Sequence, residues 1–220
     1  MAGKIATREA YGSALAEFGE DKRIVVLDAD LSKSTKTDSF KKKYPERFIN
    51  MGIAEANMMT VAAGISTCGK VVFASSFAIF ASGRAFEQVR NSICYPKLNV
   101  KIGASHAGIS VGEDGASHQS IEDIAIMRSL PNMTVISPSD AVEAKYAVKT
   151  AIETDGPFYL RLGRLAVPVI NDEANYKFEL GKGVTLSDGK DVSIIATGLM
   201  VHEALAAKEL LAAEGISARV

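Results

Sequence analysis

The sequence predicts an α/β fold: a parallel six-stranded sheet flanked by helices, followed by the start of a second, incomplete α/β domain. Three observations carry this. Short apolar bursts such as IVVLDA (24–29) and KVVFAS (70–75) alternate with longer segments of helical period. The chain has 220 residues, 47% of them hydrophobic, enough for a well-buried core. Residues 164–190 then change character, with Pro168, Asn171, Gly181, Gly183 and Gly189 spaced among polar residues.

Taken in order, the first helix is expected to start with Thr7 as N-cap, to place Tyr11, Ala14, Leu15 and Phe18 on one face, and to end at Gly19. Strand 24–29 leads into the polar stretch DLSKSTKTDS (30–39) and a short Lys-rich helix, then strand RFINM (47–51). A helix opens at Glu55 and runs to Thr67, with Gly69 closing it. Strand 70–75 precedes a helix over 77–94, and strand LNVKIGA (98–104) precedes a loop after which Ser120 caps helix IEDIAIMRSL. Strand MTVIS, helix 140–154 and strand PFYLRLG (157–163) complete the six strands. The domains are therefore 1–165, a linker over 166–190 with room for one short edge strand, and 191–220. In the last unit VSIIAT (192–197) is a strand, 199–214 an amphipathic helix, and ISARV the opening of another strand. So small a unit cannot bury both faces of a sheet, so its apolar faces are expected to lack partners.

Composition excludes several functions. The net charge is -1, from 25 basic and 26 acidic residues, and the longest basic run is Lys41-Lys42-Lys43, so no nucleic acid is expected as a partner. Apolar runs of four or five residues fall far short of the roughly 20 that span a bilayer, and MAGKIATREAYG has no apolar signal core. Cys68 and Cys94 form no Cys-x-x-Cys pair, so neither a disulfide framework nor a thiolate metal site is expected. These features predict a cytoplasmic protein without membrane contact.

In an open α/β sheet, ligands bind beyond the carboxyl ends of the strands. The richest loop there is SHAGISVGEDGASHQSIED (105–123), which holds two of the chain's three histidines, His106 and His118. Alone, these could be acid/base groups, phosphate donors or solvated residues on a Glu113-Asp114-Gly115 turn; no i,i+4 His pair supports a metal, and neither glycine-rich phosphate-loop spacing is present. Glu55 in NMGIAEANMM is either a helix-dipole partner or a partly buried carboxyl with its pKa raised by desolvation. Phe77 and Phe80 in FASSFAIFASGRAF share a helix face, a spacing more often found in cores than in cofactor pockets.

Together these stretches resemble the pyrimidine-binding region of thiamine-diphosphate-dependent transketolases, most closely the C-terminal polypeptide of transketolases split over two chains. The resemblance runs in order through ATREAYG, DADLSKS, NMGIAEANM, FASSFAIF, SHAGISVGEDGASHQSIED and YLRLGR, about residues 1 to 165. It implies a half transketolase that moves a two-carbon ketol unit between sugar phosphates. Glu55 matches the carboxyl that hydrogen-bonds the cofactor's aminopyrimidine N1′ and so activates the thiamine diphosphate ylide. Phe77 and Phe80 match the aromatics of the pyrimidine pocket, with Gly83 where some relatives carry a third aromatic and Phe86 as its substitute. Asp114 and His118 match residues on the ketose hydroxyls, and His106 one nearer the phosphate. Glu55, His118 and His106 are thus the catalytic candidates, while Arg8, Ser34 and Arg164 match the phosphate clamp. Arg161 alternates to the other side and is expected to be structural. Ala107-Gly108 stands where many relatives carry Asp-Ser.

The family's Gly-Asp-Gly motif with a later Asn, which holds the diphosphate and a divalent cation (Mg or Ca), does not occur in this sequence. The resemblance therefore implies an N-terminal transketolase subunit as partner, a homodimer inside an α₂β₂ assembly, and no activity without that partner. Rival readings are a 1-deoxyxylulose-5-phosphate synthase-like chain, a 2-oxo acid dehydrogenase beta-like subunit, and a non-catalytic fragment. The synthases usually carry Arg where His106 stands, and the dehydrogenase subunits lack the GEDGASHQ pattern.

Overall fold

The computed structural model describes residues 3–220. The strands are β1 (Lys4–Ala6), β2 (Ile24–Asp28), β3 (Phe48–Asn50), β4 (Val71–Phe77), β5 (Val100–Ser105), β6 (Thr134–Ile136), β7 (Phe158–Arg161), β8 (Ala166–Pro168), β9 (Val192–Ser193) and β10 (Ala218–Arg219). The α-helices are α1 (Thr7–Phe18), α2 (Ser32–Thr35), α3 (Asp38–Lys43), α4 (Glu55–Ser66), α5 (Phe86–Gln88), α6 (Asp123–Arg128), α7 (Ala141–Glu153) and α8 (Met200–Ala213). Six strands form one all-parallel sheet in the order β3-β2-β4-β5-β7-β6. The expected α/β class and strand count hold.

Continuous apolar runs become strands buried on both faces, as in β2, where all five residues are buried. Alternation then splits them between two cores: Val25 and Leu27 join Met58, Met59 and Ala62 of α4, while Ile24 and Val26 join Tyr11 and Leu15 of α1 and Val148 of α7. Beyond β2 the chain turns outward to β3, and beyond β4 it turns the other way to β5, so the crevice between β2 and β4 is the topological switch point.

One close approach fixes how α1 lies on the sheet. The Tyr11 hydroxyl and Ser75 Oγ are 2.7 Å apart, directly beside Gly103 of β5. A Cβ at residue 103 would fall inside the Tyr11 hydroxyl.

The structure corrects several local expectations. Thr7 is the first helical residue and not the N-cap, which is Ala6; its hydroxyl instead accepts the Gly163 N–H at 2.8 Å, tying α1 to the end of β7. Ser120 does not cap α6, because its backbone pairs with Gly108 and the helix starts at Asp123 without a side-chain cap. Residues 77–94 are not one α-helix: Phe77 ends β4, and π-turns occupy Phe80–Arg84 and Val89–Cys94 with α5 between them. The edge strand expected in the linker is β8, which pairs antiparallel with β1, an element the sequence reading did not anticipate.

Strand 192–197 is shorter than expected: only β9 is strand, paired in parallel with β10. Ile195 is 94% exposed and Leu210 of α8 is also exposed, so these apolar side chains lack partners here. No described helix is long and apolar enough to cross a membrane.

Candidate functional site

The candidate site residues lie at one end of the sheet. Ser34 follows β2, Glu55 opens α4 after β3, Phe77 ends β4, His106 follows β5 and Arg164 follows β7, while Arg8 comes from the first turn of α1. The loop after β2 is shaped by Asp28, which is fully buried and whose carboxylate accepts from the Leu31 N–H (2.6 Å), Thr35 Oγ1 (2.6 Å) and Thr37 Oγ1 (2.9 Å). Burial raises its pKa, and these three donors oppose the shift. The folded loop sets the Ser34 carbonyl 2.9 Å from Arg8 Nη1, which donates to it.

Glu55 is 3% exposed, with Ser76 Oγ at 3.5 Å and Arg84 Nη1 at 3.5 Å from Oε1. Beside it stands an aromatic group. Phe77 and Phe80 are stacked with centroids 5.9 Å apart, His106 stacks on Phe77 at 3.8 Å, and His118 meets Phe80 edge-on at 5.2 Å. The helix-face expectation for the two phenylalanines reaches the right contact by another route, since one ends a strand and the other opens a π-turn. Phe86 packs against the core under α4, and a Cβ at Gly83 would meet nothing within 4 Å.

His106 is 2% exposed and takes a left-handed backbone conformation, φ 57°. Arg8 Nη1 lies 3.2 Å from its Nε2. A guanidinium can only donate, so Nε2 accepts and the neutral ring carries its proton on Nδ1, facing Ser105 Oγ at 3.0 Å. Burial first, then the positive Arg8 and Arg164 and the nearby His118, push the His106 pKa down to about 4, against the pull of Asp114. His106 is therefore a neutral hydrogen-bonding ring near pH 7. Burial and the neighbouring Arg164 also lower the pKa of Arg8, so two guanidinium groups repel each other across this corner. Arg8 Nε is buried and has no partner among the described residues.

The loop 112–118 forms two 3-10 turns hinged at Gly115, φ 75°. Asp114 and His118 are half-buried on it, and His118 Nδ1 is 3.0 Å from Ser117 Oγ. Glu113, not anticipated as a site residue, pairs with Arg164 at 2.7 Å, and a Cβ at Gly112 would run into the same guanidinium. Arg161, expected to be structural, bonds the buried Asp123 at 2.9 Å, which also accepts from the Tyr159 hydroxyl. Arg84 and Ser76, the polar neighbours of Glu55, were likewise missed. The available signal was spacing, since Arg84 follows Phe80 by four residues in a helical segment.

The geometry is thus a buried carboxylate beside stacked aromatic rings, next to a corner of two guanidinium groups and two histidines. Residues 3–169 match the family model of the transketolase pyrimidine-binding domain, and residues 181–220 that of the transketolase C-terminal domain. The chain belongs to the transketolase family. A protein of Methanocaldococcus jannaschii whose name is given as a transketolase C-terminal section is 56% identical over 97% of this chain and 68% of its own length. A solved split-gene transketolase, described as an inactive β4 tetramer, superposes with a TM-score of 0.90 at 62% identity over 99% of this chain and 71% of its own. A Pichia stipitis transketolase complexed with sedoheptulose 7-phosphate gives a TM-score of 0.88 at 30% identity, over 99% of this chain and 34% of its own. The chain so spans about two thirds of the length of those first two relatives and a third of the long one. Transketolases as a family use thiamine diphosphate. Among the described residues no group of three or more His, Cys, Asp or Glu side chains could hold a metal ion. The large apolar cavity between β6, residues 178–186 and β9 contains none of these site residues.

Proposed function

We propose that this chain is the pyrimidine-binding half of a two-chain transketolase, which transfers a two-carbon ketol unit between sugar phosphates. The observation that carries this is the Glu55 carboxylate, 3% exposed, beside the stacked Phe77 and Phe80. These residues fit an aminopyrimidine: its faces need flat apolar partners and its ring nitrogen needs a carboxyl with which to share a proton. When bound, thiamine diphosphate supplies the nucleophilic carbon that takes up the two-carbon unit.

This chain's own residues hold and orient. Glu55 fixes a proton at the pyrimidine nitrogen, and Phe77 and Phe80 exclude water from the ring. Asp114 and His118 bind ketose hydroxyls; His118 Nε2 makes no hydrogen bond among the described residues and is free for one. Arg8, Ser34 and Arg164 clamp the sugar phosphate, a role supported by the unpartnered Nε of Arg8 and the mutual repulsion of the two arginines. His106 accepts from Arg8 and keeps that guanidinium aimed, while its ring edge meets the substrate on the phosphate side.

In this reading an N-terminal transketolase subunit holds the diphosphate and the Mg or Ca ion, and two copies of each chain form an α₂β₂ assembly. Its supports are the 62% identity to a split-gene transketolase and the exposed Ile53, Ile109 and Ile121 around the site, apolar surface suited to a covering chain. The domain division 1–165, 166–190 and 191–220 belongs to the same reading, as does a cytoplasmic location, which suits two free cysteines.

Donor and acceptor choice tests it. The chain, combined with a diphosphate-binding subunit, should turn over xylulose 5-phosphate with ribose 5-phosphate and not pyruvate with glyceraldehyde 3-phosphate. The reverse preference would move the assignment to the deoxyxylulose-phosphate synthases.

A further inference from the structure

Among the described residues Arg84 is the one strong cation in contact with Glu55, and its placement has a chemical meaning. Nη1 lies 3.5 Å from Glu55 Oε1, and the guanidinium carbon lies 4.1 Å from the centroid of Phe80. The side chain thus bridges the buried carboxylate and the aromatic face that the proposed cofactor ring would use. A guanidinium is a flat cation that donates N–H groups; an aminopyrimidine protonated at its ring nitrogen is likewise a flat cation whose N–H donates to a carboxylate and whose face stacks on an aromatic ring. The two groups therefore compete for the same pair of surfaces.

We propose that the Arg84 guanidinium is an internal stand-in for the aminopyrimidine, covering Glu55 and Phe80 until the ring displaces it. This rests on the reading of Glu55 and Phe80 as the pyrimidine pocket. Local structure explains both the placement and the release. Phe80 and Arg84 bound a single π-turn closed by Ala85 N–H to the Phe80 carbonyl at 3.3 Å, so their side chains lie one turn apart on one face. Arg84 is 55% exposed and makes no other ion pair among the described residues. Beside it, Gly83 leaves open space into which the long side chain can swing. Glu55 in turn is spared a buried, unpaired negative charge while the pocket holds no ring.

The test is calorimetric titration of the full chain with a free 4-aminopyrimidine bearing the cofactor's ring substituents and no diphosphate, so that no second chain is required. Arg84→Ala should tighten binding about three- to tenfold, the loss of one partly exposed ion pair and one cation–π contact to the competitor. Arg84→Lys, which keeps the charge and loses the flat face, should fall between Ala and the original. Added salt should weaken binding less in the original chain than in Arg84→Ala, because in the original chain it also screens the competing Arg84–Glu55 pair. Equal or weaker binding by Arg84→Ala overturns the proposal, since a residue that merely positions Glu55 would weaken binding when removed. Glu55→Gln separates the two ideas: if it leaves pyrimidine binding unchanged, the pocket assignment falls, and if it weakens binding while Arg84→Ala changes nothing, only the stand-in falls.

Discussion

At the scale of single residues, His106 shows how burial and neighbouring cations set a protonation state. Its folded pKa of about 4 lies below the ordinary value of 6.5, because burial, Arg8, Arg164 and His118 outweigh Asp114. Between those two values the unfolded chain binds more protons than the folded one, so stability falls as pH drops from about 6.5 to about 4 and carries no such penalty above 6.5. Replacing His106 by Gln should flatten this part of the curve, read from urea midpoints at about pH 4.5 and about pH 7.5. A slope unchanged by the substitution would contradict the account. The sequence made His106 a candidate through its loop and the family pattern. What it could not show was the Arg8 contact that makes Nε2 an acceptor, because that contact spans 98 positions of the chain.

At the scale of elements, the helix α1 and strands β4 and β5 meet where Tyr11, Ser75 and Gly103 converge. Gly103→Ala should cost about 1–3 kcal/mol, because added volume in a close-packed core forces a backbone or rotamer shift. Thermal unfolding would measure it, and in a Tyr11→Phe background the same change should cost less, since the hydroxyl is the nearest obstacle. Equal costs in both backgrounds would mean that the strain lies elsewhere. Elements were legible where period and burial agree: the run at 24–28 and the helix opening at Glu55 needed only local pattern. They were illegible where long-range pairing decides. The β1–β8 ribbon joins residues at least 160 positions apart, and Ser120, a good capping residue by type, is taken by a bridge to Gly108. The π-turn that aligns Arg84 with Phe80 has no distinct sequence period.

At the scale of the whole molecule, the parallel sheet gathers at its carboxyl edge side chains that are scattered from Arg8 to Arg164 in the sequence. The position of the candidate site followed from that rule before any contact was known. In the proposed reading this chain holds one half of the site, with a carboxylate, flat rings and a corner of guanidinium groups for a phosphate, and the other half comes from a second chain. The most direct test is ketol transfer measured with the purified chain alone, with the chain plus a diphosphate-binding transketolase subunit, and with Glu55→Gln in that mixture. The account predicts turnover only in the mixture, and its loss by at least about 100-fold on Glu55→Gln, the scale of a missing acid/base group. Turnover by the chain alone, or a mixture indifferent to Glu55→Gln, would contradict it.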